Sequence, residues 1–405
     1  MKMSKKINCP LYGFISITPR MRCIIDTPEF KRLHNLRQLG LTYLIYPSAN
    51  HTRFEHSLGV SHLAKILTTS LQKNQPELNI TDNEIELIQI AGLIHDIGHG
   101  PFSHLYDYEF SPSYHHEKRG QNLLCEMIGK YNLPFTKDEI NFIIDCIEPP
   151  SELERNFKYQ IVSNKLCSID VDKIDYIQRD NYHLGFGLNE KYLRLINDCR
   201  VVQFKGSLVL GWPNKLEDEV LSLFASRYRL HKKVYNHHTV KAGEYSLKKI
   251  MKKILEYDVP WNSLTDSIIN MPMSDEVIQM KEAFDRREFP KLLHEDVLYE
   301  EGMGKYGNII EQSYKQFVEK MRGKNCKLFF QKIKIGFGFK NVLKNVVYFK
   351  GNDYTGYNVE QYNTFMAPST TSEVVFRIYV EKPYLEICRE NFENILDDNI
   401  KWKEC

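Results

Sequence analysis

The stretch "AGLIHDIGHGPFSHLYD", Ala91 to Asp107, opens like a core helix and at once presents His95, Asp96, His99, His104 and Asp107. Ionisable side chains leave water only when something compensates them, and a bound metal ion is a common compensation. On a helix, His95 and His99 would share a face, with Asp96 about 100° round from His95. Gly98, Gly100 and Pro101 would end that helix, and His104 and Asp107, three apart, would share a face of the next. For an isolated His-Asp pair, a partly buried histidine hydrogen-bonded to its neighbour is the better reading. The remaining ligands of any ion must lie elsewhere in the chain.

Eight of the 14 histidines fall between His51 and His116. "NHTRFEHSLGV" sets His56 between Glu55 and an apolar helical run, with Arg53 three residues earlier. "SIDVDKIDYIQRD" carries Asp172, Lys173, Asp175, Tyr176, Arg179 and Asp180 on a helix with Ile169, Ile174 and Ile177 as apolar members. On its own that helix describes a solvated charged face.

The rest of the first half also reads as helical. "DTPEFKRLHNLRQLG" offers Thr27 as N-cap, Pro28 at the first helical position and Gly40 as a stop, with Phe30, Leu33, Leu36 and Leu39 recurring every three residues. Thr81 with Glu84 and Thr136 with Glu139 form capping boxes. Ser163 to Asp180 and Lys215 to about Tyr257 are expected to be helical, and "RVVQFKGSLVLGW" to be a hairpin turning at Lys205-Gly206. Beyond Cys326, "CKLFFQKIKIGF", "KNVVYFKG" and "VVFRIYVEK" are strand-like, and "PYLEICRENFENIL" closes as an amphipathic helix. The expected fold is mainly α: a helical body over residues 1–320 and a smaller α+β lobe over 321–405.

Composition excludes several classes. A net charge of +2 on 405 residues gives no reason to expect a nucleic-acid partner. Nine scattered cysteines without a Cys-x-x-Cys pair suit reduced thiols, and no apolar run of membrane-spanning length occurs. "MKMSKKINCP" leads into no apolar signal core. A soluble intracellular protein, cytoplasmic or nuclear, is the expectation.

The order His56, then His95-Asp96, then Asp172 resembles the HD-domain metal phosphohydrolases, whose core is a helical bundle. "DTPEFKRL", "RFEHSLGV", "QIAGLIHDIGHGPFSH", "IVSNK", "IDVDKIDY" and "RYRLHKKVYNH" are similar to one branch, the SAM-and-HD-domain deoxynucleoside triphosphate triphosphohydrolases of animals. With so few residues ahead of Lys5, no SAM domain is expected. The resemblance implies that His56, His95, Asp96 and Asp172 ligate a divalent transition metal. Two imidazoles and two carboxylates suit iron, manganese, zinc or nickel, and Mg2+ or Mn2+ would accompany the nucleotide.

It further implies attack on the α-phosphorus of a dNTP, releasing deoxynucleoside and intact triphosphate. His104 would protonate the departing 5′-oxygen, Asp107 or His116 would orient it, and His99 would bond a phosphate oxygen. Arg53, Lys173 and Arg227 match phosphate-binding positions, with Tyr176 as hydroxyl donor. Gln38 and Asp180 match residues that hold the sugar 3′-hydroxyl, and Leu39 and Tyr235 those that crowd the 2′ position. Arg227, His231 and Tyr235, spaced i, i+4 and i+8, would share one helical face. The alternatives are an HD phosphohydrolase acting on another nucleotide, and a protein that binds nucleotide or single-stranded nucleic acid without catalysis.

The family assembles into tetramers through GTP or dGTP and dNTP activators, so a homo-oligomer, dimer or tetramer, is expected. Lys5 and Asp26, with Arg287 and Lys291 from another subunit, match the first activator pocket, and Arg194 and Lys215 the second. Departures are clear: His34 and Lys31 stand where the family has arginine and glutamine. Pro213 and Glu219 replace arginine and asparagine, and His237 and His238 replace two lysines. Histidine is shorter than arginine and mostly neutral at pH 7, and a glutamate repels triphosphate. Activation is therefore expected to be weakened, altered in base preference or absent.

Overall fold

The computed structural model describes residues 5–399 except 189–191, 258, 272–273, 337–341, 361 and 363–369. The chain forms two compact units. The first comprises Met1–Arg227, Val259–Ile268 and Gly338–Ala367; the second comprises Tyr228–Asp258, Ile269–Phe337 and Pro368–Cys405.

In the first unit, the helices Arg53–Asn74 and Asp82–Ile94 pack side by side. Gly92 permits their approach, since a Cβ there would lie 3.2 Å from the Ser61 nitrogen and the Val60 carbonyl. Both capping boxes form: Glu84 accepts from the Thr81 N–H at 2.9 Å and Thr81 Oγ1 from the Glu84 N–H at 3.2 Å, with the same exchange at Thr136 and Glu139. Thr27 caps a short helix, Pro28–Lys31, which tightens into a 3-10 turn over Arg32–Asn35. The three-residue recurrence of Phe30, Leu33 and Leu36 is the period of a 3-10 helix, and all three are fully buried.

Three helical expectations are corrected. The Asp82 helix ends at Ile94, and Ile97 and His99 donate to the carbonyls of Ile94 and Asp96 in tight turns. Asp96 and His99, not His95 and His99, therefore face the same way. Ser163–Asp170 is non-helical; Asp170 caps a helix, Val171–His183, by accepting the Lys173 N–H at 2.9 Å. The run from Lys215 is broken into Glu217–Leu230, a π turn at His231–Tyr235, and His238–Ile254. The wider π turn interrupts the i, i+4, i+8 face of Arg227, His231 and Tyr235.

The hairpin Arg200–Phe204 with Ser207–Pro213 turns at Lys205 and Gly206, both with positive φ. It closes a small barrel with Val347–Lys350 and Asp353–Asn358. Those later strands join the first unit because Val347 and Phe349 bury against Val202, Phe204 and Val209. The compact units thus divide the chain differently from a cut at residue 320.

The second unit holds an antiparallel sheet with Ser372–Val380 between Lys291–Tyr299 and Leu328–Gly336. Helix Glu300–Gly323 packs on it through Ile310, Tyr314 and Phe317, against Phe376 and Ile378. The architecture is mainly helical with a smaller strand-containing C-terminal region. No described helix is long and apolar enough to cross a membrane.

Gly98 meets the helix His116–Tyr131 so closely that a Cβ would sit 2.0 Å from the His116 carbonyl oxygen. Backbone cannot yield as a flexible side chain does, so Gly98→Ala is expected to destabilise by on the order of 3 kcal/mol. Chemical denaturation measures this, and a change below about 1 kcal/mol would contradict the packing described.

Candidate metal centre and adjoining histidine cluster

His56 stands on the first turn of the long helix Arg53–Asn74, His95 and Asp96 on the turn after Ile94, and Asp172 on the first turn of Val171–His183. Their atoms converge. His56 Nε2 lies 3.2 Å from His95 Nε2 and 3.1 Å from Asp172 Oδ1, and His95 Nε2 lies 3.4 Å from the same oxygen. Asp96 Oδ1 is 3.4 Å from His95 Nε2, and Asp96 Oδ2 is 3.7 Å from His56 Nε2. Arg53 also donates to Asp96 Oδ2.

The protons settle what this cluster accepts. His95 Nδ1 lies 2.9 Å from the Gly92 carbonyl, which can only accept, so Nδ1 carries the hydrogen. His56 Nδ1 lies 2.8 Å from Asp175 Oδ2, a carboxylate that Arg179 binds through two bonds of 2.9 Å. Asp175 and Arg179 are wholly buried. With neutral rings, both Nε2 lone pairs would aim at each other and at a carboxylate, an arrangement that repels unless positive charge, a proton on Nε2 or a cation, lies between. Ligands about 2.1 Å from one ion are separated by roughly 3.0 Å in octahedral and 3.4 Å in tetrahedral geometry, which brackets the separations among His56, His95 and Asp172. The residues fit a divalent metal.

Electrostatics agree. Burial opposes a charged imidazole at His56, yet bonds to Asp172 and Asp175 outweigh it and push the ring up to about 10. Burial likewise opposes ionisation of Asp172, but the hydrogen bonds from His56 and His95 hold it well below the carboxylate range. The centre favours positive charge.

His99, His104, Asp107 and His116 form a second cluster. Asp107 Oδ2 lies 2.8 Å from His116 Nδ1, 3.6 Å from His99 Nδ1 and 4.0 Å from His104 Nδ1, while Arg119 holds Asp107 Oδ1. The rings of His99 and His116 stack at 3.7 Å. Burial, with Arg53 and His116 nearby, keeps His99 neutral, far below the ordinary imidazole value. His99 Nε2 faces Asp96 Oδ1 at 3.3 Å and so links the two clusters. His104 is the exposed member, its side chain 64% accessible.

The other expected residues fall as follows. A short pairing of Leu36–Gln38 with His51–Arg53 sets Gln38 beside His51, and the buried Gln38 Oε1 has no protein partner. Leu39 opens the 3-10 turn Gly40–Leu44. Asp180 accepts from His51 Nε2 at 2.7 Å. Lys173 Nζ binds Asp170 at 2.8 Å, and Arg227 Nε donates to the Tyr176 hydroxyl at 3.2 Å. His231 and Tyr235 lie in the second unit with ring centroids 4.9 Å apart, as do Arg287 and Lys291, both exposed. Lys5 is exposed on the first strand, and Asp26 pairs with Arg22 at 3.2 Å. His34 stacks on Phe54 at 3.5 Å, Arg194 pairs with Glu219, and Lys215 lies 3.7 Å from Asp198.

Sequence reasoning missed Asp175, Arg179, Arg119, His51 and Asp266 as parts of this site. The spacing of Asp175 and Arg179, four apart on a helix, was the available signal for that pair. Asp266 joins from far along the chain, and nothing local marks it.

Residues 53–180 match the HD domain family. The chain is 40% identical over 270 residues to an HD domain-containing protein of Acanthamoeba polyphaga mimivirus, covering 62% of this chain and 58% of that one. It is 39% identical over 262 residues to the deoxynucleoside triphosphate triphosphohydrolase SAMHD1 of Gallus gallus, covering 58% and 42%. To the protein of that name from Danio rerio it is 35% identical over 327 residues, covering 74% and 52%. The chain spans about half the length of these relatives.

Partners behind ligand histidines typically change metal affinity 10- to 100-fold. Asp175→Asn is expected to weaken divalent-metal binding by that factor, read by chelator competition with Mn2+. Unchanged affinity in folded protein would show that His56 does not depend on Asp175.

Proposed function

We infer that this chain, an HD-domain protein over residues 53–180, is a metal-dependent deoxynucleoside triphosphate triphosphohydrolase. The observation that carries the reading is the convergence of His56 Nε2, His95 Nε2 and Asp172 Oδ1 beside a separate histidine–aspartate cluster. Relatives that bear the name of this activity support the substrate class.

A divalent ion at this centre supplies Lewis-acid chemistry, polarising a phosphoryl oxygen and making water nucleophilic near neutral pH. The chain's own residues do the rest. His56, His95, Asp96 and Asp172 hold the ion, with Fe, Mn, Zn and Ni as the candidates. Arg53, bonded to Asp96 and Ser103, turns its remaining N–H donors toward the phosphates. His99, neutral and buried, hydrogen-bonds a phosphate oxygen. His104, exposed and with Nδ1 toward Asp107, delivers a proton from Nε2 to the departing 5′-oxygen, while His116 and Arg119 fix Asp107. Geometry in the absence of substrate is expected to be loose, and the 4.0 Å separation of His104 from Asp107 is of that kind.

Lys173, Tyr176 and Arg227 meet the triphosphate, whose Mg2+ or Mn2+ shares the charge. Gln38 and Asp180 hold the 3′-hydroxyl and Leu39 crowds the 2′ position; by resemblance, Tyr235 is the second residue at the 2′ position and His231 a further substrate-binding residue. The activator response is weakened, altered in base preference or absent. Glu219 neutralises Arg194 in the second pocket, and His34 is engaged with Phe54 in the first. The oligomeric architecture persists.

Incubating the protein with each dNTP and Mn2+ or Mg2+ is expected to yield deoxynucleoside and intact triphosphate. Monophosphate with pyrophosphate, or no turnover, contradicts the reading. Replacing His95 and Asp96 together should abolish turnover while leaving the fold largely intact; activity above about a tenth of wild type would remove them from the centre.

Ribonucleotides are expected to be poor substrates, because a 2′-hydroxyl that finds no room or partner costs on the order of a few kcal/mol. Equal rates for ATP and dATP would overturn this. Light scattering with and without GTP and dGTP tests regulation. An activator-dependent jump to an active tetramer would show that the substitutions at His34 and Glu219 do not matter.

A further inference from the structure

Two consecutive non-glycine residues, Phe102 and Ser103, adopt positive φ of 55° and 56° immediately before His104. Such backbone persists only where surrounding structure over-determines it, and it gathers at functional sites. Here the restraint comes from far along the chain. The buried carboxylate of Asp266 accepts the Phe102 N–H on Oδ1 at 2.7 Å and the Arg37 N–H on Oδ2 at 2.9 Å. Its segment is tied down by Arg32, which donates to the carbonyls of Leu264 at 3.0 Å and Ile97 at 2.9 Å. Ser103 Oγ is held in turn by Arg53 Nε at 2.8 Å and reaches the Arg37 carbonyl at 3.3 Å.

We propose that Asp266 is a positioning residue for the hydrolytic site, one carboxylate that sets His104 at a fixed distance from the Gln38–Leu39 segment. Phe102 precedes His104 by two residues, and Arg37 precedes Gln38 by one. Both oxygens of Asp266 are spent on these two amides and its side chain is 3% exposed, so it touches no substrate itself. A carboxylate is needed because both groups it faces are donors; an amide offers one oxygen and turns an NH2 toward the other N–H. The proposal rests on the triphosphohydrolase reading, in which His104 delivers a proton and Gln38 holds the sugar.

The test compares wild type with Asp266→Asn for kcat and KM on dATP, bound metal per chain, and far-UV circular dichroism. The expected result is a kcat at least tenfold lower, KM within threefold, and unchanged metal content and fold. If Asp266→Asn does not yield folded protein, Asp266→Glu, which moves the oxygens by one methylene, is expected to show the same kcat-specific loss. A kcat within threefold of wild type, or a loss that follows metal or fold, overturns the proposal. A wild type inactive on every dNTP would instead sink the functional reading.

Discussion

Two imidazole Nε2 atoms face each other at 3.2 Å in a pocket that both histidines share with the carboxylates of Asp172 and Asp96. That cluster is stable only around positive charge, and much of the first unit is arranged to keep it so. The Gly92 carbonyl and the Asp175 carboxylate fix the Nδ1 protons of His95 and His56. Gly59 makes room for the second partner: a Cβ there would sit 1.9 Å from Asp175 Oδ1 and 2.3 Å from Arg179. The long helix can therefore approach Val171–His183 only at a residue without a side chain. Burying Asp175 and Arg179 as a bidentate pair satisfies the charge that the histidine needs behind it.

The neighbouring cluster follows the opposite logic. His99 is kept neutral by burial and by the cations around it, while His104 is left open to solvent. One turn of chain thus separates groups that hold charge from groups that hand on a proton. The separation depends on the tight turns after Ile94, which send His95 toward Asp172 and His99 toward Asp107. A continued α-helix would have put both on one side.

This explains what the sequence could disclose. Both capping boxes and the Lys205-Gly206 hairpin were legible because each rests on local spacing or turn chemistry, whereas the proposed ligand set rested on the resemblance in motif order. The end of the helix before His95 was not, since Ile97 at 0% exposure continues the apolar pattern through the turn. The extent of the helix before Asp172 was overestimated because Asp170 caps it from within a run of apolar residues. Asp266, and the joining of the strands after Val346 to the hairpin of the first unit, were invisible for a different reason. Their roles are set by partners more than a hundred residues away, at Arg37, Phe102 and the Arg200–Pro213 hairpin. Of the matched substrate residues, Gln38, Asp180, Tyr176 and Arg227 lie in the first unit, and His231 and Tyr235 in the second.

The most direct test of the account is an anomalous diffraction measurement on crystals grown with Mn2+. One strong peak is predicted about 2.0–2.3 Å from His56 Nε2, His95 Nε2 and Asp172 Oδ1. A map without density at that point, or with its main peak among His99, His104, Asp107 and His116, would contradict it.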